Sequence, residues 1–348
     1  MVLQPRPRSS SPGRGRLPGP SSPHARRRLR GTAGFFFLLL AIAFPALAGS
    51  LPVSITVDAD GGQAAHRTVQ AAIDDAVARA QPATIRIRAG TYREVVDIPA
   101  GAPPIELVGD DAATTTIVFD NFASRPNPAT GKEFGTFGSA TVFVRSDDFS
   151  AQRLTFANDA GPVGQAVALL VTGTRAAFRD VRFLGHQDTL YLQGQDTLAW
   201  FGDCHIEGTV DFIFGAGTAL FERCTIHSVG NGYVTAAATP QGRAFGYVFA
   251  DCELSAAPGV EHVYLGRPWR PYAKVAFVDS QLGPHVAVLG WHDWGKAANR
   301  ATADYVEHGN RGPGADRSAR VVWSRGLDAT EAAHYTREAI LGDWRPFE

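Results

Sequence analysis

The chain has 348 residues, 45% of them apolar and 19% charged, which excludes a wholly disordered polypeptide and leaves room for one large domain or two ordinary ones. Residues 1–50 carry eight Arg and no acidic group, so the rest holds 33 − 8 = 25 basic against 34 acidic residues, a formal net charge of 25 − 34 = −9. That balance excludes the basic footprint of a nucleic-acid-binding protein, and it repels an ionised polyanion at long range.

Residues 1–33 are rich in Pro, Ser, Gly and Arg, a composition that cannot bury a core. An apolar run from Gly34 to Ala48 follows and ends in Ala46-Leu47-Ala48. Basic, then apolar, then small-x-small is the order of a secretory signal, and the run is short for a membrane span. Residues 1–48 are therefore expected to be a basic leader plus signal peptide. Residues 49–348 are then one exported domain, secreted or periplasmic, with no membrane attachment after cleavage.

Ser54-Ile55-Thr56-Val57 reads as a strand. Val69, Ala72, Ile73, Ala76 and Val77 recur at helical spacing after Thr68, a good N-cap, and predict an amphipathic helix. From residue 84 the pattern changes to short strands between glycines: Thr84–Ile87, Val95–Ile98 and Ile105–Val108. No long helical period appears between 84 and 325. Residues 121–139 break the rhythm as a long loop, and 291–318 form another irregular stretch. Asp328 with Glu331 makes a capping box for a helix of about ten residues, expected to pack on the flank or far end.

Several residues recur one turn apart. Gln165, Asp188 and Asp211 are spaced by 23, and Cys204 and Cys224 by 20. Such recurrence favours stacked parallel coils over a β-sandwich, with the first helix closing an open end that would otherwise expose unpaired backbone. Residues one coil apart then lie roughly 5 Å apart. On this reading Gln165, Asp188 and Asp211 form a vertical line with Gln187 beside it. Cys204 and Cys224 are either a disulfide, which an exported protein permits, or two buried thiols. The bond is favoured, leaving Cys252 unpaired.

Two carboxylates that close resist ionising together, so one holds a proton while the other is free to act as nucleophile or base. Arg267, in Leu265-Gly266-Arg267-Pro268-Trp269, is the candidate cation for a bidentate hold on one of them. Gln165 and Gln187 offer neutral N–H donors, which a developing oxyanion needs. No Ser-His pairing or His/Cys metal spacing accompanies them. Phe212, Phe214, Trp269, Trp291 and Trp294 are aromatics able to stack on sugar faces. The bland alternative is a set of Asp and Gln ladders that only satisfy turns. It weakens for the group taken together, because buried like charges are costly.

At these residues the chain resembles the pectin methylesterases, carbohydrate esterase family 8. The likeness rests on Gly90-Thr91-Tyr92-Arg93-Glu94, Gly164-Gln165-Ala166-Val167-Ala168-Leu169, Gln187-Asp188-Thr189-Leu190-Tyr191, Asp211-Phe212-Ile213-Phe214-Gly215 and Leu265-Gly266-Arg267-Pro268-Trp269, with Trp291-to-Trp294 and Gly312-Pro313-Gly314. It covers roughly 52–345. The resemblance implies an all-β, right-handed parallel β-helix with an N-terminal capping helix and a short C-terminal helix. It implies hydrolysis of the methyl esters of polygalacturonate to methanol and pectate, without metal or cofactor, by a monomer whose partner is pectin. It also implies the roles: Asp211 as nucleophile, Asp188 as acid/base, Gln187 as oxyanion stabiliser and Arg267 as holder of the nucleophile. Gln165, Trp269 and Thr136 are implied as substrate contacts, and the first cysteine pair as a disulfide. The acidic body suits a neutral, highly esterified substrate. The alternatives are an esterase or thioesterase of different substrate on the same scaffold, or a non-catalytic carbohydrate-binding solenoid.

Overall fold

The computed structural model describes residues 51–62 and 64–348. The leader and signal peptide expected over 1–48 lie outside the described residues.

The strands form three parallel ladders. The first stacks Val53–Val57, Ala83–Ile87 and Ile105–Gly109, then the opening residues of Ser150–Asn158 and Ala176–Leu184. It continues through Leu198–Gly202, Thr218–Glu222, Tyr247–Ala250, Lys274–Val278, Asp304–His308 and Arg325–Gly326. The second runs from Gly90–Arg93 and Thr115–Phe119 through the later parts of Ser150–Asn158 and Ala176–Leu184. It then takes the opening parts of His205–Gly215 and Thr225–Ala237 and ends at Glu253–Ala256 and Gln281–Leu282. The third stacks Val96–Ile98, Val142–Val144, Leu169–Val171 and Leu190–Leu192, the last residues of His205–Gly215 and Thr225–Ala237, and Val263–Gly266. A sandwich would pair its strands antiparallel; every one of these ladders is parallel, so the molecule is a parallel β-helix.

The coils are less regular than the sequence recurrences imply. Ala199 pairs Ala219, but Ala219 pairs Tyr247 and Lys274 pairs Asp304, so the later coils are markedly longer. The extra length goes into corners and loops and leaves the rungs in register. Inside, Phe178, Phe201, Phe221, Phe249 and Phe277 stack as one column with centroids 4.8, 4.7, 4.5 and 4.4 Å apart. Offset stacking of this kind adds about 0.5–1.5 kcal/mol per pair beyond burial.

At the corner after this column each coil turns through a left-handed residue: Asp180, Asp203, Arg223, Asp251 and Asp279. After all but the first, the next residue donates back to the Phe carbonyl of the preceding coil. Cys204 Sγ donates to Phe178 O, Cys224 Sγ to Phe201 O, Cys252 Sγ to Phe221 O and Ser280 Oγ to Phe249 O. This corrects the disulfide expectation for Cys204 and Cys224. All three thiols are buried and free. The corner demands a short side chain that donates to the coil below, and Ser280 meets that demand as the cysteines do, so proximity in a stack is not by itself a bond.

The first helix, α1 (Val69–Arg79), has Thr68 as N-cap, its Oγ1 accepting from Ala71 N at 3.3 Å. Val69, Ala72, Ile73 and Ala76 are buried against the first coils, as their spacing predicts. The Glu94 carboxylate also accepts from Val69 N at 2.8 Å and Gln70 N at 3.0 Å. It thereby satisfies two orphan donors at the positive end of the helix. The long loop between Thr115–Phe119 and Val142–Val144 carries one short turn of helix, α2 (Gly135–Gly138). The stretch 291–318 is less irregular than expected: it holds α3 (Ala297–Arg300) and the strand Asp304–His308. The Asp328–Glu331 capping box forms, but the helix it starts is two short ones, α4 (Ala329–Ala332) and α5 (Arg337–Leu341). α5 packs Ile340 and Leu341 on the flank against Trp200, Leu220 and Val248.

Candidate active site

The site lies where the middle coils turn into the third ladder. Leu190 pairs Ile213, the same interval that separates Asp188 from Asp211, so the two acids sit on adjacent rungs; Asp188 N donates to Val210 O at 3.1 Å. One expectation is corrected. Gln165 bridges to Gln187, not to Asp188. Leu169 pairs Leu190, a shorter step, so the coil below is more compact and the amides form their own line beside the acids.

A β-bulge aims Asp211. Val210 pairs Tyr233 and Ile213 pairs Thr235, so Asp211 and Phe212 together face the single residue Val234. The doubled residue breaks alternation: Phe212 and Ile213 both enter the core, while Asp211, at φ 52, turns out into a cleft. Gly208 makes room for this turn, since a Cβ there would lie 2.2 Å from Phe212 Cβ. Left-handed Asp residues also occur at structural corners, so the conformation alone does not mark function; the bulge and the cleft do.

Arg267 reaches Asp211 from the next coil but one. Its Nε donates to Oδ1 at 2.9 Å and its NH2 nitrogen to Oδ2 at 2.8 Å. The guanidinium is stacked between the rings of Tyr233 and Trp294, 3.8 and 3.7 Å from their centroids. Gly266 must be glycine for this strand to approach: a Cβ there would meet Thr235 Oγ1 at 1.9 Å. Beyond it, the amide of the buried Asn299 on α3 donates to Pro268 O and Trp269 O at 3.0 and 3.1 Å and pins the strand end.

Both acids are buried, Asp188 7% and Asp211 6% exposed. Burial pushes the Asp188 carboxyl up to about 8, helped by the charge of Asp211 and opposed by Arg267 and by the Gln187 amide. Burial raises Asp211 too, but hydrogen bonds and charge from Arg267 pull it back, with Lys296 adding to the pull. The pair thus titrates in order, Asp211 losing its proton before Asp188.

The cleft, about 210 Å³, is lined by all the residues given a catalytic or substrate-contacting role from the sequence: Thr136, Gln165, Gln187, Asp188, Asp211, Arg267 and Trp269. Of the five aromatics, Phe214, Trp269 and Trp294 line it, whereas Phe212 and Trp291 are fully buried in the core. Sequence reasoning missed Phe137, which is 56% exposed on α2, and Tyr191, stacked on Phe214 at 4.1 Å. Alternation after Asp188 was a usable signal for Tyr191, since Leu190 points inward. The Tyr233 and Trp294 clamp on Arg267 had no such signal, because it joins two coils.

Comparison with known proteins identifies relatives of this chain. The profile described as Pectinesterase matches residues 54–343. Pectinesterase 31 of Arabidopsis thaliana is 38% identical over 287 residues, covering 80% of this chain and 90% of its own length. The structure of pectin methylesterase from carrot superposes with a TM-score of 0.75 at 32% identity, over 82% of this chain and 92% of that one. A pectin methylesterase solved in complex with a hexasaccharide does so at 0.75 and 30%, over 86% and 100%.

Proposed function

The chain belongs to the pectinesterase family and is a carboxylic ester hydrolase, and from that premise we propose that it removes methyl groups from polygalacturonate methyl esters through Asp211, Asp188, Gln187 and Arg267. An ionised Asp211 oxygen attacks the ester carbonyl carbon. The electron pair moves to the carbonyl oxygen, where the Gln187 amide N–H donates to the oxyanion. As the tetrahedral intermediate collapses, the methoxy C–O bond breaks and Asp188 gives its proton to the departing oxygen, releasing methanol. The galacturonyl group is then held on Asp211 as a mixed anhydride. Asp188, now a carboxylate, takes a proton from water; the hydroxide attacks the anhydride, and free galacturonate leaves with Asp211 regenerated.

The ordering of the two acids supports this reading above all else. A carboxyl that keeps its proton to about 8 stands beside one clasped by a guanidinium. An acid and a nucleophile of the same residue type are distinguished by environment alone. Gln165, Trp269 and Thr136 are read as substrate contacts in the same cleft, and Gln187, whose amide bonds the Asp188 carboxyl, as the oxyanion donor.

Methanol release from methylated polygalacturonate, measured for wild type and Asp211→Ala, tests the assignment. The variant should fold and lose nearly all activity; turnover at the wild-type rate would reject Asp211 as nucleophile. Acyl thioesters serve as the competing substrate. We further read residues 1–48 as an export leader and 49–348 as the mature monomer. N-terminal sequencing of the exported protein checks the first, and sedimentation the second.

A further inference from the structure

The two aromatic walls around the Arg267 guanidinium meet at one side chain that does not itself line the cleft, His292. On one side, Tyr233 stacks on its rung partner Tyr264 with centroids 5.3 Å apart, and the His292 ring packs against both at 5.6 and 5.5 Å. On the other side, His292 Nδ1 accepts from Trp294 N at 2.9 Å. The backbone N of His292 donates to Gly266 O at 3.1 Å, which ties it to the strand that carries Arg267. An Nδ1 that accepts a backbone N–H carries no proton, so the ring hydrogen sits on Nε2. Trp294 needs this tether. It sits at φ 60, in the left-handed region where a bulky residue is rare and persists only when neighbouring bonds impose it. Asp293 Oδ1 holds the other half of the turn by accepting from Gly295 N at 2.9 Å, two residues on, and leaves the Trp294 N–H to His292.

Resting on the roles given above to Asp211 and Arg267, we propose that His292 is a positioning residue for the reaction: it sets both aromatic walls and so keeps the guanidinium in the plane of the Asp211 carboxylate. The fork of an arginine makes two parallel bonds only while its plane is fixed. Here rings at 3.8 and 3.7 Å fix that plane from both sides. Without Nδ1, Trp294 is free to leave its left-handed conformation and one wall opens. Without the imidazole ring, Tyr233 and Tyr264 lose the group packed against both. Either loss loosens the hold on Asp211. Of the charges that face this carboxyl, Lys296 and Asp188 stay where they are, while the pull of Arg267 against burial weakens. Asp211 then keeps its proton to higher pH, and fewer molecules carry an ionised nucleophile on the acid side. The imidazole transfers no proton in this scheme. It acts through the clamp alone.

The experiment follows kcat/KM for methanol release across the acid range for wild type, His292→Ala, His292→Asn and His292→Phe, with a denaturant midpoint for each. Asn keeps an acceptor for the N–H two residues on, as Asp293 does, and Phe keeps a ring. His292→Ala is expected to lower kcat by about 10- to 100-fold, the scale of an ångström-level misplacement of a catalytic group, and to move the acid limb upward. Asn and Phe should each restore part of both. His292→Ala combined with Tyr233→Leu should lose no more than the worse single variant, because both act through one clamp. An acid limb left at its wild-type position in His292→Ala overturns the proposal, as does additive loss in the double variant. Should His292→Ala fail to fold, an acid limb unmoved in both Asn and Phe variants overturns it equally. A readout free of substrate is the Arg267 Nε–H resonance, bonded and covered on both faces, which should exchange faster with solvent in the His292 variants; unchanged exchange also rejects the idea. Absence of methanol with wild type overturns the pectin reading instead, so the two failures are distinguishable.

Discussion

Arg267 makes two hydrogen bonds to Asp211 while both faces of its guanidinium are covered by aromatic rings. Lysine keeps the charge but neither the fork nor the flat faces. Arg267→Lys is therefore expected to lower kcat by about 100-fold, comparable to loss of a transition-state donor, and to move the acid limb of the pH profile upward as Asp211 loses its strongest counterweight. A pH–kcat series checks both. Asp188 gives a second prediction. Its carboxyl is raised from 3.8 to about 8. The unfolded chain thus releases this proton first, and stability falls as pH rises through that window. Each unit of that shift corresponds to about 1.4 kcal/mol, so the destabilisation at pH 8 is on the order of several kcal/mol. Asp188→Asn removes the titration, so it should raise the denaturant midpoint at pH 8, leave it nearly unchanged at pH 3, and abolish most turnover. In wild type, acylation should decline above a pH of about 8 as the acid loses its proton. Much of this was legible in sequence because Asp188, Asp211 and Arg267 lie in short motifs whose residue types fit only a few chemistries. Their environment was not legible. Burial, and the Tyr233 and Trp294 sandwich, depend on which coils meet.

Single elements show where local pattern suffices and where it fails. Helix α1 follows from Thr68 and five apolar positions, since both are local. The helix after Asp328 breaks in two because Ala333 to Thr336 turn the chain down onto the flank, a tertiary demand that a capping box does not express. Glu94 is the instructive case. It stands in a recognisable motif, yet its work is to cap α1 from a coil away. Glu94→Ala should cost about 1 kcal/mol, read as a lowered denaturant midpoint with kcat unchanged. The bulge at Asp211 also escapes spacing, because an extra residue on one strand leaves the interval to the coil before it intact. Register with the following coil reveals it, and the sequence carries no count of that register. The same limit misplaced Gln165, whose coil is shorter than its neighbours'.

Across the whole molecule, the parallel β-helix was visible from recurrence alone, although the unequal lengths of its coils blur the period. The cysteines show the hazard of reading a stack as a set of bonds. Three buried thiols, each donating to a carbonyl of the coil below, predict that denatured protein titrates three thiols per chain without reductant. They also predict that reductant leaves the melting temperature unchanged; fewer thiols, or a lowered midpoint, would restore the bond. The far end is secured differently, by Glu307, whose carboxylate accepts from Arg320 at 3.0 and 3.2 Å and from the Trp291 indole at 3.2 Å, all buried. Leaving Arg320 unpaired in the interior, Glu307→Ala should cost about 3–5 kcal/mol, measured by equilibrium denaturation.

Asp188 and Asp211 follow the fifth and sixth of the segments stacked in the first ladder, with coils on either side. Backbone pairing joins each coil only to its neighbours, so melting can begin at the N-terminal tip and travel inward, like a rope fraying, while the central turns stay wound. Mild heat or clipping at that end would then erode the molecule's length before its turnover, and a catalytically competent remnant would survive shorter than the chain that was made.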